Sequence, residues 1–187
     1  RGVNVLQEEV MDKLRACAES FLKLCGCDYE IMAQKNQRQI QVTIYFSEEQ
    51  FHHLIGLNKL TDIDGLHGNR TQIFVQILDG RIRYCDIKNS AFIKIVDERI
   101  QYFDQLESLL DNEIIIKFNQ GKAHSLINAT MLLYQKQDDV YLHLFLNPKD
   151  FHKDILIPCS FFPRKDNKYI LHQEVYKVVQ IQRIEHP

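Results

Sequence analysis

The order of patterns in this sequence predicts an α+β fold, in which N-terminal helices pack on a mostly antiparallel sheet. Apolar residues at helical spacing appear early in the chain and again after Asp97, whereas strand-like segments fill most of the sequence after residue 113. Helical patterns that precede a run of strand patterns are typical of the α+β class. The chain of 187 residues fits one hydrophobic core, so we expect a single domain over residues 1–187.

Composition narrows the functional classes. Hydrophobic residues make up 45% and charged residues 26% of the chain, as in packed globular proteins. No apolar run approaches the roughly 18 residues of a membrane span, and the N-terminus lacks a signal pattern, so we expect a cytoplasmic protein without a membrane partner. The net charge of −2 gives no global attraction to a polyanion, so nucleic-acid binding would need a local basic patch.

The cysteines indicate a reducing compartment. There are five, an odd number, in apolar or helical surroundings: Cys17, Cys25, Cys27, Cys85 and Cys159. The one close pair, Cys25 and Cys27, is separated by a single residue, which is poor spacing for a tetrahedral zinc site. We therefore expect no disulfide, no bound metal and no cofactor.

The first elements are a helix and a hairpin. Residues 5–24 carry apolar side chains three and four apart and predict an amphipathic helix that stops at Gly26: Leu6, Val10, Met11, Leu14, Cys17, Phe21, Leu22 and Leu24. Residues 29–33 and 39–46 then flank a polar turn. In the second of these segments apolar and polar residues alternate, which predicts a half-buried strand in a hairpin.

A second helix is predicted to start at Ser47. Ser47 and Gln50 have the spacing of a capping box, and Phe46 and Phe51 occupy the positions of a hydrophobic staple. Phe51, Leu54 and Ile55 share the buried face of this helix.

Residues 61–90 give a weaker pattern and predict a loop-rich connector, in which residues 71–78 fit either a helix or a strand. A third helix is predicted from Asp97, with apolar spacing through Leu110. Arg99 then lies near the positive end of a helix dipole, where a cation is unfavourable. A partner carboxylate such as Asp97, or a ligand phosphate, would account for it.

The rest of the chain predicts strands joined by short turns. Residues 136–139 form a plausible hairpin turn between two of them. The strand-like segments are residues 113–118, 131–135, 140–146, 155–162, 169–172 and 176–184.

One stretch carries a family resemblance. The chain lacks a phosphate-binding Gly-rich loop, a His-Glu-x-x-His helix and a Gly-x-Ser-x-Gly elbow. Residues 51–62, the signature segment, instead contain Phe-x-His-Leu-x-Gly-Leu-x-Lys-Leu, formed by Phe51, His53, Leu54, Gly56, Leu57, Lys59 and Leu60. This pattern resembles a phage and mobile-element family placed with the Barnase/EndoU/Colicin/RelE-like nucleases, in its fourth subgroup. Weaker similarity continues through Ser90, Arg99 and residues 160–162.

The resemblance implies a metal-independent RNA endonuclease or a toxin-like nuclease domain. In such enzymes the RNA 2′-hydroxyl attacks the neighbouring phosphate and leaves a 2′,3′-cyclic phosphate, which requires acid–base groups and cations. It implies His53 as acid or base, with Lys59 and Arg99 as phosphate ligands. RNA is the implied substrate, and an antitoxin or immunity protein is an implied partner.

Structural explanations compete with these roles. His53 fits a surface residue opposite an apolar stripe, and Lys59 fits a complement to a helix C-terminus. The hydroxyls of Ser90 and Ser160 could orient a substrate or only satisfy backbone groups. Lys165 belongs to a late cluster of basic and aromatic residues that binds a single strand or forms a solvated rim. There are two alternative functions. One is a nuclease-fold module that binds protein or nucleic acid without cutting it, and the other is a purely structural protein of a mobile element.

Overall fold

The computed structural model describes residues 11–187, and its seven strands close into a barrel. The order around the barrel is β1-β2-β6-β5-β4-β3-β7, and β7 returns to pair with β1. Neighbouring strands are antiparallel except β2 and β6, which pair in parallel at Thr43 and Ile44. The strands are β1 Cys27–Lys35, β2 Arg38–Tyr45, β3 Ile114–Lys117, β4 Met131–Gln137, β5 Val140–Lys149, β6 His152–Arg164 and β7 Glu174–Glu185. The predicted α+β class and the mostly antiparallel sheet are confirmed.

One helix precedes β1, and four lie between β2 and β3 in the described part of the chain. They are α1 Lys13–Cys25, α2 Glu48–Leu54, α3 Arg70–Leu78, α4 Tyr84–Ile87 and α5 Ile93–Ile100, with short 3₁₀ turns at Leu57–Lys59, Phe103–Gln105 and Ser108–Asp111. Within residues 11–187, no helix has both the length and the apolar character that crossing a membrane requires.

Capping residues fix where the first two helices begin. The Asp12 carboxylate accepts hydrogen bonds from the backbone N–H groups of Leu14 and Arg15 at 3.1 Å, so α1 starts at Lys13. The predicted first helix is confirmed over residues 13–24, and residues 5–10 lie outside the described part. At α2, the Gln50 side chain accepts a hydrogen bond from the Ser47 N–H at 3.1 Å, which confirms the predicted start.

The main core is mostly aliphatic, and it contains a cluster of aromatic rings carried by the helices, by the residue that follows β2 and by the first 3₁₀ turn after α5. Phe21 of α1 lies 5.9 Å from Phe46 and 5.7 Å from Phe51, measured between ring centroids. Phe74 of α3 and Phe103 also contact Phe51, at 5.1 and 5.5 Å. The hydrophobic staple expected around Ser47 is therefore part of a larger aromatic cluster that joins the helices to the barrel.

A smaller core lies on the other face of β4 and β5, because successive side chains of a strand point to opposite faces. Leu142, Leu144 and Leu146 belong to the main core, whereas Phe145 packs with Phe118 and Tyr169 in the smaller one. His143 stacks on Phe145, and burial lowers its pKa to about 4, so its imidazole is neutral at physiological pH.

Three predictions about elements were wrong. Residues 169–172 form a turn and not a strand, since Tyr169 is held by the smaller core. The connector of residues 61–90, predicted to be loop-rich, contains the helices α3 and α4; residues 71–78, which fitted either a helix or a strand, are helical. The third helix starts at Ile93, four residues before Asp97, and breaks into 3₁₀ turns after Ile100.

Replacing Phe51 with alanine should destabilise the protein by on the order of 3 kcal/mol or more, because the ring is fully buried and its removal leaves a cavity among three other aromatic rings. Urea unfolding followed by circular dichroism measures this loss. The exposed Phe92 is a matched control, and its replacement with alanine should cost far less. A loss below about 1 kcal/mol for Phe51→Ala would contradict the burial.

Candidate active site

The C-terminal end of α2 is held by a buried arginine from α5. The Arg99 Nη1 atom donates hydrogen bonds to the carbonyl oxygens of His53 and Leu54, both at 2.9 Å. These carbonyls belong to the last turn of α2, where the helix dipole is negative, and the His53 carbonyl also accepts a hydrogen bond from the Gly56 N–H at 3.2 Å. The Arg99 side chain is only 8% exposed, so the cation is largely withdrawn from water and is stabilised by these acceptors.

The position of Arg99 on its own helix also differs from the prediction. Because α5 starts at Ile93, Arg99 lies in the last turn of α5 and not near its start. A positive charge is favourable there, so the helix dipole needs no carboxylate or phosphate to explain Arg99. Burial lowers the pKa of Arg99 to about 10, which leaves the guanidinium charged at neutral pH.

Gly56 permits this approach. Its backbone has a φ of +92°, a left-handed conformation that side-chain-bearing residues rarely adopt. A β-carbon added there would lie 3.4 Å from Cδ of Arg99 and 3.5 Å from Cγ2 of Ile95. Glycine is therefore favoured by the turn that ends α2, whereas an added β-carbon would make only ordinary van der Waals contact with α5.

A second set of hydrogen bonds joins the end of the signature segment to the residues just before α5. The Ser90 hydroxyl donates to Oδ1 of Asp62 at 2.5 Å, and the Ala91 N–H donates to Oδ2 of Asp62 at 2.7 Å. The Ser90 oxygen also accepts a hydrogen bond from the Phe92 N–H at 3.1 Å. Hydrogen bonding from Ser90 lowers the pKa of Asp62, so its charged form is stabilised by this contact. Ser90 and Asp62 therefore fix the turn that precedes α5.

Packing and capping account for most of the signature segment. The apolar members of the motif are completely buried: Phe51, Leu54, Leu57 and Leu60. Gly56 supplies the turn, and Asp62 binds α5. The half-buried His53 and the exposed Lys59 differ from these, since neither side chain makes a hydrogen bond or an ion pair within residues 11–187. They are the two motif side chains that architecture does not explain.

Positive charges surround the His53 imidazole. Burial is the largest cause that lowers the pKa of His53 below its ordinary value of 6.5, and the charges of Arg99, Arg70, Lys59 and His52 lower it further. Arg99 belongs to α5, Arg70 to α3, Lys59 to the turn after α2, and His52 to α2 itself. The structure thus brings His53, Lys59 and Arg99 into one electrostatic neighbourhood, with a neutral imidazole among cations.

Sequence reasoning missed two residues of this neighbourhood. Nε2 of His52 lies 2.6 Å from the Leu66 carbonyl oxygen, which fastens the loop before α3 to α2. Arg70 begins α3, which packs directly on α2. Arg70 lies at the edge of a segment that fitted either a helix or a strand, so the sequence alone did not predict its place near His53.

Ser160 and Lys165 belong to another part of the barrel. Ser160 is partly buried in β6 opposite Phe145, and Lys165 follows the end of β6, where its Nζ lies 3.4 Å from Oδ2 of Asp139. Their roles as substrate contacts stay predictions.

Metal-ligating and thiol groups are scattered. In the described part of the chain, no cluster of three or more His, Cys, Asp or Glu side chains has the arrangement of a metal site. All five cysteines, which fall within that part, are free thiols.

The fold and this site define an α+β barrel protein with a helix-borne histidine in a cationic setting. The chain belongs to the family described as phage-Barnase-EndoU-ColicinE5/D-RelE like nuclease 4, whose model matches residues 13–184. The family resemblance seen in the sequence is thereby confirmed, and it is that of a phage-associated nuclease family. No curated protein and no solved structure gave a significant match.

Replacing Gly56 with alanine should destabilise the protein by about 1–2 kcal/mol, because alanine rarely adopts the left-handed backbone, while the added β-carbon makes only ordinary van der Waals contact with Arg99. Urea unfolding measures this loss. Gly65 has a φ of +82° with no atom within 4 Å of an added β-carbon, so Gly65→Ala reports the backbone term by itself. A much larger loss for Gly56→Ala than for Gly65→Ala would contradict this expectation.

Proposed function

We propose that this protein is a metal-independent RNA endonuclease in which His53 transfers the proton. The observation that carries the proposal is a half-buried histidine with a lowered pKa, free of any side-chain partner in residues 11–187 and surrounded by cations, in a chain of a nuclease family. Cations that surround a proton-transfer group are what a reaction at a phosphate anion requires.

The reaction forms one bond to phosphorus and breaks another. Neutral His53 removes the proton from an RNA 2′-hydroxyl, whose oxygen attacks the adjacent phosphorus. The bond from phosphorus to the 5′-oxygen breaks, and that oxygen takes a proton from a second acid or from water. The products are a 2′,3′-cyclic phosphate and a 5′-hydroxyl. A pKa below 6.5 keeps His53 in the basic form at neutral pH, which favours the role of base over that of acid.

Lys59 and Arg99 supply charge in different ways. Lys59 is exposed and can contact the non-bridging phosphate oxygens directly. Nη1 of Arg99 is committed to two carbonyls, so a phosphate contact by Arg99 would use its remaining N–H groups. Even without such contact, its charge acts on His53 and on any anion beside it.

The remaining elements of the proposal concern substrate and context. Ser90, Ser160 and Lys165 are the further substrate contacts that we propose; the exposed ion pair of Lys165 with Asp139 is weak enough for a phosphate to replace the carboxylate. A toxin-like role in the cytoplasm, opposed by an antitoxin or immunity protein, agrees with an RNA substrate and five reduced thiols.

His53→Ala should lose about 10²- to 10⁴-fold in the rate of RNA cleavage, because a positioned proton-transfer group is removed. Cleavage by the parent should persist in chelator and give 2′,3′-cyclic phosphate ends, measured on labelled RNA by gel electrophoresis and end analysis.

His124→Ala is the matched control, since this exposed histidine lies outside the site, and its rate should equal that of the parent. An undiminished rate in folded His53→Ala would refute the site, and loss of cleavage in chelator would refute the mechanism. If no RNA is cut, the non-cleaving module becomes the better description.

The acid limb of the rate profile should lie below pH 6.5. His53 acts as a base only when neutral, and its folded pKa is lowered, so activity is present above 6.5 and falls as the pH drops through the lowered pKa. Lys59→Gln removes one of the charges that lower this pKa and should move the limb to higher pH, besides reducing the rate. Measurement of kcat/KM against pH decides this, and a limb at or above 6.5 in the parent would contradict it.

A further inference from the structure

Arg99, which the family resemblance implied as a phosphate ligand, is largely inaccessible to a phosphate. Arg99 is 8% exposed, and both N–H groups of its Nη1 are directed to the carbonyls of His53 and Leu54. A guanidinium that binds phosphate in a forked geometry needs two parallel N–H groups facing the ligand. Arg99 therefore does not provide the site with an accessible arginine.

Arg70 has the properties that Arg99 lacks. It is exposed and, in the part of the chain that the structure describes, its side chain forms no hydrogen bond and no ion pair. It is the first residue of α3, a helix whose Ile73, Phe74 and Ile77 are buried in the main core against α2. Its charge reaches both His52 and His53.

The backbone that carries Arg70 is fixed at both ends of the preceding loop. At one end Asp62 is bound to Ser90 and to the Ala91 N–H. At the other end the Leu66 carbonyl is bound to His52, whose ring is 5% exposed. Asn69 then caps α3 by accepting a hydrogen bond from the Gln72 N–H at 3.0 Å. An arginine on a backbone held in this way loses less conformational freedom when it binds a ligand.

We propose that Arg70 is a phosphate ligand of this site, and that it binds a phosphate group of the RNA strand beside His53 together with Lys59. Arg99 is then a positioning residue, which holds the end of α2 that carries His53. The proposal rests on the proposed function, since it names a further residue that contacts the same substrate.

The test compares Arg70→Gln and Arg70→Lys with Arg81→Gln. Arg81 follows the end of α3, is exposed and pairs with Asp79, so its replacement removes the same charge away from the site. Thermal unfolding first checks that all three variants fold. Under single-turnover conditions Arg70→Gln should cleave about 10²-fold more slowly than the parent, because one donor to the developing charge is lost. Arg70→Lys should recover part of the rate, and Arg81→Gln should match the parent.

A second measurement does not depend on cleavage. An oligoribonucleotide with 2′-O-methyl groups cannot react, and its affinity is measured from about 50 to 200 mM salt. Arg70→Gln should lower the slope of log affinity against log salt by about 0.7, the value for one phosphate contact with a single strand. The pKa of His53, followed by NMR, should rise in Arg70→Gln and not in Arg81→Gln.

The outcomes separate the two proposals. If the parent cleaves RNA and Arg70→Gln behaves as Arg81→Gln in rate and in salt slope, the inference about Arg70 is wrong and the proposed function stands. If the parent binds the oligoribonucleotide with a slope that depends on Arg70 but cuts no RNA, the inference holds and the proposed function is wrong. A parent that neither binds nor cuts RNA overturns both.

Discussion

The contact between the Arg99 guanidinium and the end of α2 is the constraint on which the site depends. A buried cation is costly unless acceptors replace its water, and here two helix-terminal carbonyls at 2.9 Å do so. Arg99 packs beside Gly56, whose left-handed backbone turns the chain at the end of α2. The direction of the chain after α2, and with it the place of Lys59, follows from one interaction between two helices that are distant in sequence.

The same contact sets the chemistry of His53. Arg99 is largely buried and bound to two carbonyls, so its charge is a fixed part of the surroundings of the imidazole. With Arg70 and Lys59 it lowers the pKa of His53, and the neutral form is ready to accept a proton. A phosphate that enters the site offsets these charges and raises that pKa, which strengthens the base when the substrate is present. Under the proposed function, the same cations would bind the anion and adjust the base.

Local signals in the sequence predicted those elements whose determinants are local. The hairpin of β1 and β2 and the start of α2 follow from alternation and from a capping box, and both are found. The start of α5 was mispredicted because the turn before it is fixed by a residue distant in sequence: the carboxylate that accepts from the Ala91 N–H belongs to Asp62, which lies 29 residues earlier. The apolar run at Tyr169 was mistaken for a strand because it serves a second core on the outer face of the barrel, which periodicity does not reveal.

The site was predictable only in part, for a similar reason. His53, Lys59 and Arg99 were named because of the motif and the family resemblance, and their roles stay predictions; Arg99 was placed at the wrong end of its helix. Arg70 has no local pattern at all. Its neighbourhood exists because α3 packs on α2 and because His52 holds the Leu66 carbonyl, and both are tertiary contacts.

Within the signature segment, some residues serve packing and others the proposed chemistry. This difference bears on the choice between a nuclease and a non-cleaving module. Phe51, Leu54, Leu57 and Leu60 fill the core, and Gly56 and Asp62 hold α5 in place. A chain that kept these residues but lost His53 and Lys59 would retain the barrel and the helix contacts, since neither side chain bonds to the rest of the described structure. Shape and chemistry are thus carried by different residues of one short segment. This chain carries both sets, as the proposed nuclease function requires.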